Sequence, residues 1–278
     1  VRDNLQRGLI LIVLGVLLQR LYDQIIIVLP HLGVLVIVLA PLALLLHRMP
    51  VLTLGLAAAG AVVAPVVVDR ARLVADENVA SWPPWLSDLV GWVATGDAYR
   101  LATLLPMALG GLALATVLRR VGRPPEAWVV AGVLFATSAA AYVLGARTAS
   151  GSTAYSGTTA EVVGATLLAT GSIVASFLVV ALARRFGIGR ALDPVLSTGR
   201  LALTAYTLQV LWLALLSALR DGARDDEWWI LGSTTVVVVG GCWLLERLMG
   251  TGPLEWLIHR LRPVPPSPPG RHVGHRST

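Results

Sequence analysis

The sequence contains no lysine: all 22 of its basic residues are arginine. Charge of either kind is scarce, at 14% of residues, where a soluble domain carries roughly a quarter. That scarcity excludes an ordinary soluble domain of this length. Cysteine occurs once, as Cys242, which excludes an intrachain disulfide framework or a thiolate metal site. Zinc-ligand spacing, a phosphate-cradling glycine loop and a Ser-x-x-Lys motif are all missing, so neither a metal nor a bound cofactor is expected. The net charge of +6 does not signal a nucleic-acid partner, because the arginines are scattered over short loops rather than gathered in a patch.

What fills the chain instead is aliphatic. The mean hydropathy is +0.75 over 278 residues, and Leu, Val and Ala lie in blocks long enough to cross a bilayer. The expected fold is all-α: a polytopic transmembrane bundle of about eight spans. A single transmembrane domain is expected over residues 1–262. The Pro-rich stretch 263–278, PVPPSPPGRHVGHRST, is expected to be a disordered cytoplasmic tail.

In order, the spans are expected near Leu5–Tyr22, Gln24–Leu46, Val51–Val68, Leu101–Leu118, Trp128–Ala146, Val162–Ala183, Val195–Leu219 and Trp228–Leu245. The first is the weakest, and no small-residue cleavage site follows it, so it does not read as a cleaved signal peptide. Asp69 to about Arg100, with Trp82, Trp85 and Trp92, reads as an interfacial segment. Gly252–Pro263 reads as a short amphipathic surface helix. Gly110–Gly111 and Gly240–Gly241 are expected to permit close helix contact. With the N-terminus inside, 14 arginines fall in inner segments and 7 in outer ones. That bias predicts a multi-pass protein of the cytoplasmic membrane with both termini inside.

Arg200 is the residue that most needs explanation. It lies five residues inside the expected seventh span, where a charge is expensive. On a continuous helix it would share a face with Thr204 and Thr207. Two readings stand side by side: an anion clamp on a donor phosphate or carboxylate, or a structural arginine snorkelling to the inner surface. His31, after Pro30, is either a general base or a histidine bonded to a carbonyl freed by a proline kink. The two are expected in opposite halves of the membrane. Around the outer ends of the spans lie Asp97, Arg147, Tyr155, Ser156 and Glu161, candidates for substrate binding. A helix-end role explains Asp97 and Glu161 equally well.

Several stretches are familiar as a set. STGRLALTAYTLQVL and GPLEWLIHRLRP resemble the two C-terminal signatures of the YeiB-like membrane proteins, domain-of-unknown-function family 418. YSGTTAEVVGAT and ATGDAYRLATLLPMALGGLALA resemble further segments of that family, so that about 96–263 is covered. The resemblance extends distantly to membrane acyltransferases of the heparan-glucosaminide acetyltransferase group. It implies transfer of an acyl group from a cytosolic thioester, such as acetyl-CoA as co-substrate, to an envelope carbohydrate or lipid. Relatives carry an Asp-x-x-Arg-Gly motif in N-terminal helices. Here Asp3 and Arg7-Gly8 are one residue too far apart, and those helices are expected to be missing. Tyr155 stands where relatives often have His. Two other classes stay open beside the enzyme: a small-molecule or lipid transporter, and a non-catalytic scaffold.

Overall fold

Long aliphatic stretches have only one way to satisfy their own backbone in lipid, which is to coil into helices. The computed structural model describes residues 2–46, 48–121, 127–148, 151, 153, 155–220 and 227–260, and among them every regular element is helical. In chain order these are α1 (Arg2–Leu21), α2 (Leu29–Leu46), α3 (Pro50–Asn78), α4 (Pro84–Val90), α5 (Leu101–Val121), α6 (Ala127–Ala146), α7 (Thr159–Arg185), α8 (Asp193–Arg200), α9 (Ala202–Leu219), α10 (Trp228–Met249) and α11 (Pro253–Arg260). A π-helical segment, Gly91–Thr95, follows α4. Among the described residues seven helices are long and apolar enough to cross a membrane, namely α1, α2, α3, α6, α7, α9 and α10; α5 adds a shorter apolar stretch, Leu101–Thr116. The protein is a multi-pass integral membrane protein built as an all-α bundle.

The helices pair as α1 with α2, α3 with α5, α6 with α7, and α9 with α10. Contacts of α1 with α9, α2 with α5, and α5 with α7 join the pairs. Tight pairing needs small residues, and the α1–α2 crossing shows it. A Cβ added at Gly33 would lie 2.5 Å from the Gly8 carbonyl oxygen, and one at Gly8 would lie 2.6 Å from that of Gly33. The expected glycine pairs contribute only half each. Gly110 faces Thr166 and Gly241 faces Leu208, while Gly111 and Gly240 face open space.

Three boundaries differ from the hydropathy reading, and each matters for the site. α2 begins at Leu29, not Gln24; Tyr22–Val28 is non-helical and lies against α9. Gln19 holds this stretch by accepting from Ile27 N (2.8 Å) and donating to Ile25 O (3.1 Å). α3 does not stop at Val68 but runs ten residues further, to Asn78. The expected seventh span is broken: Leu201, at φ −106° and ψ 43°, separates α8 from α9. The acidic loop at 221–226, the 122–126 loop and the tail lie outside the described residues.

Candidate functional site: an aromatic wall around His31

Pro30 is the second residue of α2, where a proline's missing N–H costs nothing and its fixed φ suits the helix start. It therefore starts the helix rather than kinking it, and His31 sits in the first turn. This turn is well inside the bundle: a Cβ on Gly15 would collide with the Pro30 ring, and Gly15 is about 20 Å along α1 from its start. His31 is 8% exposed, and its Nδ1 is buried with no hydrogen-bond partner among the described residues. The carbonyl partner expected from a kink is not what Nδ1 finds.

The imidazole is instead walled by aromatics. Trp92, on the π-helical segment, stacks on it with ring centroids 4.3 Å apart and planes 16° from parallel. Trp92 was expected to be an interfacial anchor; the π-helical segment packs on α3 and α5 and brings the indole to His31. Tyr99 lies at 6.1 Å from the imidazole, and Tyr155 meets Tyr99 edge-on at 5.6 Å. Burial and the hydrogen bond to Tyr155 push the Tyr99 phenol well above its ordinary pKa, so it stays a proton donor.

Next to Tyr99 is Arg100, 1% exposed, a buried cation that must be held by acceptors or charges. Its Nη2 donates to Tyr155 O (3.0 Å) and Asp97 O (3.2 Å), while Nε has no partner among the described residues. Burial and the Arg72 guanidinium pull its pKa down; Glu161 and Asp97 push it back up. Arg72, on the extension of α3, donates to Ser156 O at 3.4 Å. The same loop is gripped from α7. Thr158 caps that helix by accepting from Glu161 N, and the Glu161 carboxylate accepts from Tyr155 N (2.9 Å) and Gly157 N (2.7 Å). Thr158-x-x-Glu161 is a capping-box spelling, with the glutamate reaching one and three residues further back than usual. Gly157 has φ +79°, and a Cβ there would lie 2.9 Å from Arg100 Nη1. Tyr155, itself 48% exposed, also takes a positive φ, +63°, a strained conformation for a bulky residue.

A second constellation closes the start of α9. Glu255 on α11 accepts from Leu203 N (2.9 Å), Thr204 N (3.0 Å) and the Thr204 hydroxyl, capping the start of α9. Gly252 makes room for this: a Cβ there would run into both the Glu255 carboxylate and the Thr204 hydroxyl. Arg200 ends α8, its side chain 55% exposed, and pairs with Glu246 on α10, Nε to Oε1 at 2.7 Å. It is thus not a charge within an apolar helix. The break at Leu201 also separates it from Thr204 and Thr207, so the three do not form one stripe. Thr204 is buried in the Glu255 cap, and Thr207 bonds back to Leu203 O at 3.0 Å.

The structure thus brings His31, Tyr155, Ser156 and Glu161 to one neighbourhood, with Asp97 exposed at its rim. Arg147 is exposed at the end of α6 and makes no hydrogen bond or ion pair to this neighbourhood among the described residues. Arg200 and Thr204 belong to the start of α9, near which the Tyr206 hydroxyl accepts from Val28 N (3.3 Å); the far end of α9 meets the α1–α2 link through Gln24 and Ser217 (3.2 Å). Sequence reasoning missed the structural weight of Trp92, Tyr99 and Glu255. Only Glu255 carried a readable signal, within Gly-Pro-Leu-Glu-Trp. Among the described residues no group of acidic, His or Cys side chains could hold a metal ion.

No curated protein and no solved structure matches the chain. The family model described as protein of unknown function, DUF418, matches residues 102–263, which takes in Tyr155, Glu161, the α8–α9 break and the Glu255 cap. The chain belongs to the DUF418 family.

Proposed function

We propose that this protein is a membrane acyltransferase. It takes an acyl group from a cytosolic thioester such as acetyl-CoA and gives it to an envelope carbohydrate or lipid, in the bacterial cytoplasmic membrane. The observation that carries the reading is the buried His31 imidazole, whose Nδ1 has no partner among the described residues. A nitrogen so placed is free to accept a proton from an acceptor hydroxyl or amine. The acceptor atom then attacks the thioester carbonyl, the C–S bond breaks, and the thiolate leaves with the proton returned by the imidazolium. The Trp92 stack fixes the ring plane and shields it from water. Tyr99 and the Arg100 guanidinium supply hydrogen-bond donors on the same wall, suited to an oxygen gaining negative charge. Tyr155 and Ser156 face the acceptor, and Glu161 holds their loop in shape. At the other end, Arg200 meets the donor's anionic groups by exchanging Glu246 for them.

Transfer of labelled acetyl from acetyl-CoA is measured in proteoliposomes with an envelope extract as acceptor pool. His31→Gln keeps the size and the stack, and is expected to lower the rate by about 10²- to 10⁴-fold without lowering the melting temperature. Wild-type rates from His31→Gln would sink the proposal.

A transporter is the second reading, favoured by non-helical backbone at Tyr22–Val28 and the break at Leu201. Solute flux from the same vesicles without labelled product would select it.

A further inference from the structure

Where the Tyr22–Val28 stretch turns into α2, the backbone N–H groups find partners until the helix begins. Ile27 N donates to Gln19 Oε1 (2.8 Å), and Val28 N donates to the Tyr206 hydroxyl of α9 (3.3 Å). Val28 O accepts from Leu32 N (3.1 Å), which closes the first turn of α2. The N–H groups of Leu29 and His31 then meet no acceptor among the described residues, and Pro30 has none to give. Leu29, Pro30 and His31 are all buried. A buried N–H without an acceptor is costly anywhere, and more so inside a membrane bundle.

Side chains repeat the pattern at the same turn. His31 is 8% exposed, and its partnerless Nδ1 is the ring nitrogen nearer the backbone. The Tyr206 hydroxyl accepts from Val28 N, but its own proton meets no acceptor among the described residues. Burial, Tyr155 and then Tyr206 keep the Tyr99 phenol protonated, so Tyr206 stands by the same aromatic wall. Trp92 and Tyr155, both exposed, lead from the surface to this wall. The start of α2 thus gathers two amide donors, a phenol donor and one nitrogen able to take a proton. An atom that suits it must accept from the donors and give a proton to Nδ1. A hydroxyl oxygen does both, having two lone pairs and one proton. A neutral amine does not: its one lone pair is needed for attack, and the donors would tie it up. An ammonium group has no lone pair and is repelled by the positive end of the helix.

We propose that the start of α2, together with Tyr206, seats the reacting hydroxyl of the acceptor, so that the acyl product is an ester and not an amide. This rests on the acyl-transfer reading and goes beyond it by fixing the acceptor atom. The hydroxyl gives its proton to His31 Nδ1 as the oxygen attacks the thioester carbonyl. A C–O bond forms, the C–S bond breaks, and the imidazolium returns the proton to the thiolate. The oxygen gains negative charge as its proton leaves, and the Leu29 and His31 N–H groups and the Tyr206 hydroxyl stabilise it there. Tyr206 keeps its own proton throughout.

The test gives proteoliposomes of the full chain acetyl-CoA labelled in the acetyl group and an envelope extract, with His31→Gln run beside the wild type. The product whose label depends on His31 is treated with dilute alkali, which cleaves esters and spares amides. Nearly all of that label is expected to be released as acetate. Label that resists alkali overturns the hydroxyl assignment and leaves acyl transfer standing. No label dependent on His31 overturns the acyl-transfer reading and this proposal with it. Tyr206→Phe keeps the ring and loses the hydroxyl. It is expected to lower kcat by about 10- to 10²-fold with the KM for acetyl-CoA unchanged. Wild-type kcat in Tyr206→Phe overturns the part given to Tyr206. The alkali result needs no Tyr206 variant, so it decides the acceptor atom even where Tyr206→Phe fails to fold.

Discussion

At the scale of single residues, Glu255 and Gly252 act as one unit. Glu255 caps a helix that starts 53 residues earlier in the chain, and it can do so only because position 252 has no side chain. Losing a helix cap costs about 0.5–2 kcal/mol. Glu255→Gln is therefore expected to lower the thermal midpoint in detergent modestly. Gly252→Ala is expected to lower it more, since the new methyl must push the carboxylate off the helix start. If Gly252→Ala melts with the wild type, Glu255 does not cap α9. Arg200→Ala makes the opposite case. As an unpaired charge inside a span it would be a costly residue whose removal stabilises. As the exposed partner of Glu246 its removal is expected to leave the melting curve nearly unmoved. Tyr155, held at φ +63°, is expected to accept asparagine without loss of stability, because asparagine enters that conformation readily. A clear drop in the midpoint of Tyr155→Asn would show instead that its contact with Tyr99 is structural.

At the scale of helices, the comparison with hydropathy is instructive at three places. The spans themselves were legible because a run of aliphatic residues in lipid has no alternative to helix. The break at Leu201 was not, because the residues after it remain apolar and the carboxylate that satisfies the new helix start comes from α11. The π-helical segment was not legible either: tryptophans near prolines fit a headgroup anchor, and only the packing of that segment on α3 turns Trp92 onto His31. The glycines divide for the same reason. A glycine pair in a sequence does not say which of its members meets a neighbour. Gly33→Ala is expected to destabilise α1 against α2 by about 1–3 kcal/mol, since its methyl meets a backbone carbonyl. Gly111→Ala, with nothing within 4 Å, is expected to be neutral or slightly stabilising. Unfolding titrations in mixed micelles compare the two directly, and equal effects would contradict the close α1–α2 crossing at Gly8 and Gly33.

At the scale of the whole molecule, the arginine bias predicts which end of the bundle faces the cytosol. Asp88 on α4 and Arg190 before α8 are both exposed and lie at opposite ends. In a Cys242→Ala background, Asp88→Cys is expected to react with an impermeant maleimide added outside intact cells. Arg190→Cys is expected to react only after permeabilisation. The reverse pattern would invert the topology and, with it, the side on which a thioester donor reaches the protein. The candidate site was half legible at this scale. His31, Tyr155 and Glu161 stand out as polar groups in apolar surroundings, but their nearness depends on where α3, α5 and α7 pair. Arg100 gives no sign in the sequence of being among the most buried side chains of the described residues.

The length of α3 has one more consequence. At 29 residues the helix extends about 43 Å, against about 30 Å for the hydrocarbon of a bilayer. Val68, which a Cβ added at Gly157 would meet at 3.4 Å, lies about 27 Å from its start, and Arg72 a further turn out. The loop carrying Tyr155 therefore sits at a dielectric step. Arg72 is on the aqueous side of it, and the His31 ring is on the dry side. Added salt is expected to weaken the hold of Arg72 on the loop and to leave the stack of His31 on Trp92 untouched. Ionic strength should thus tune the lip of the site without reaching its floor.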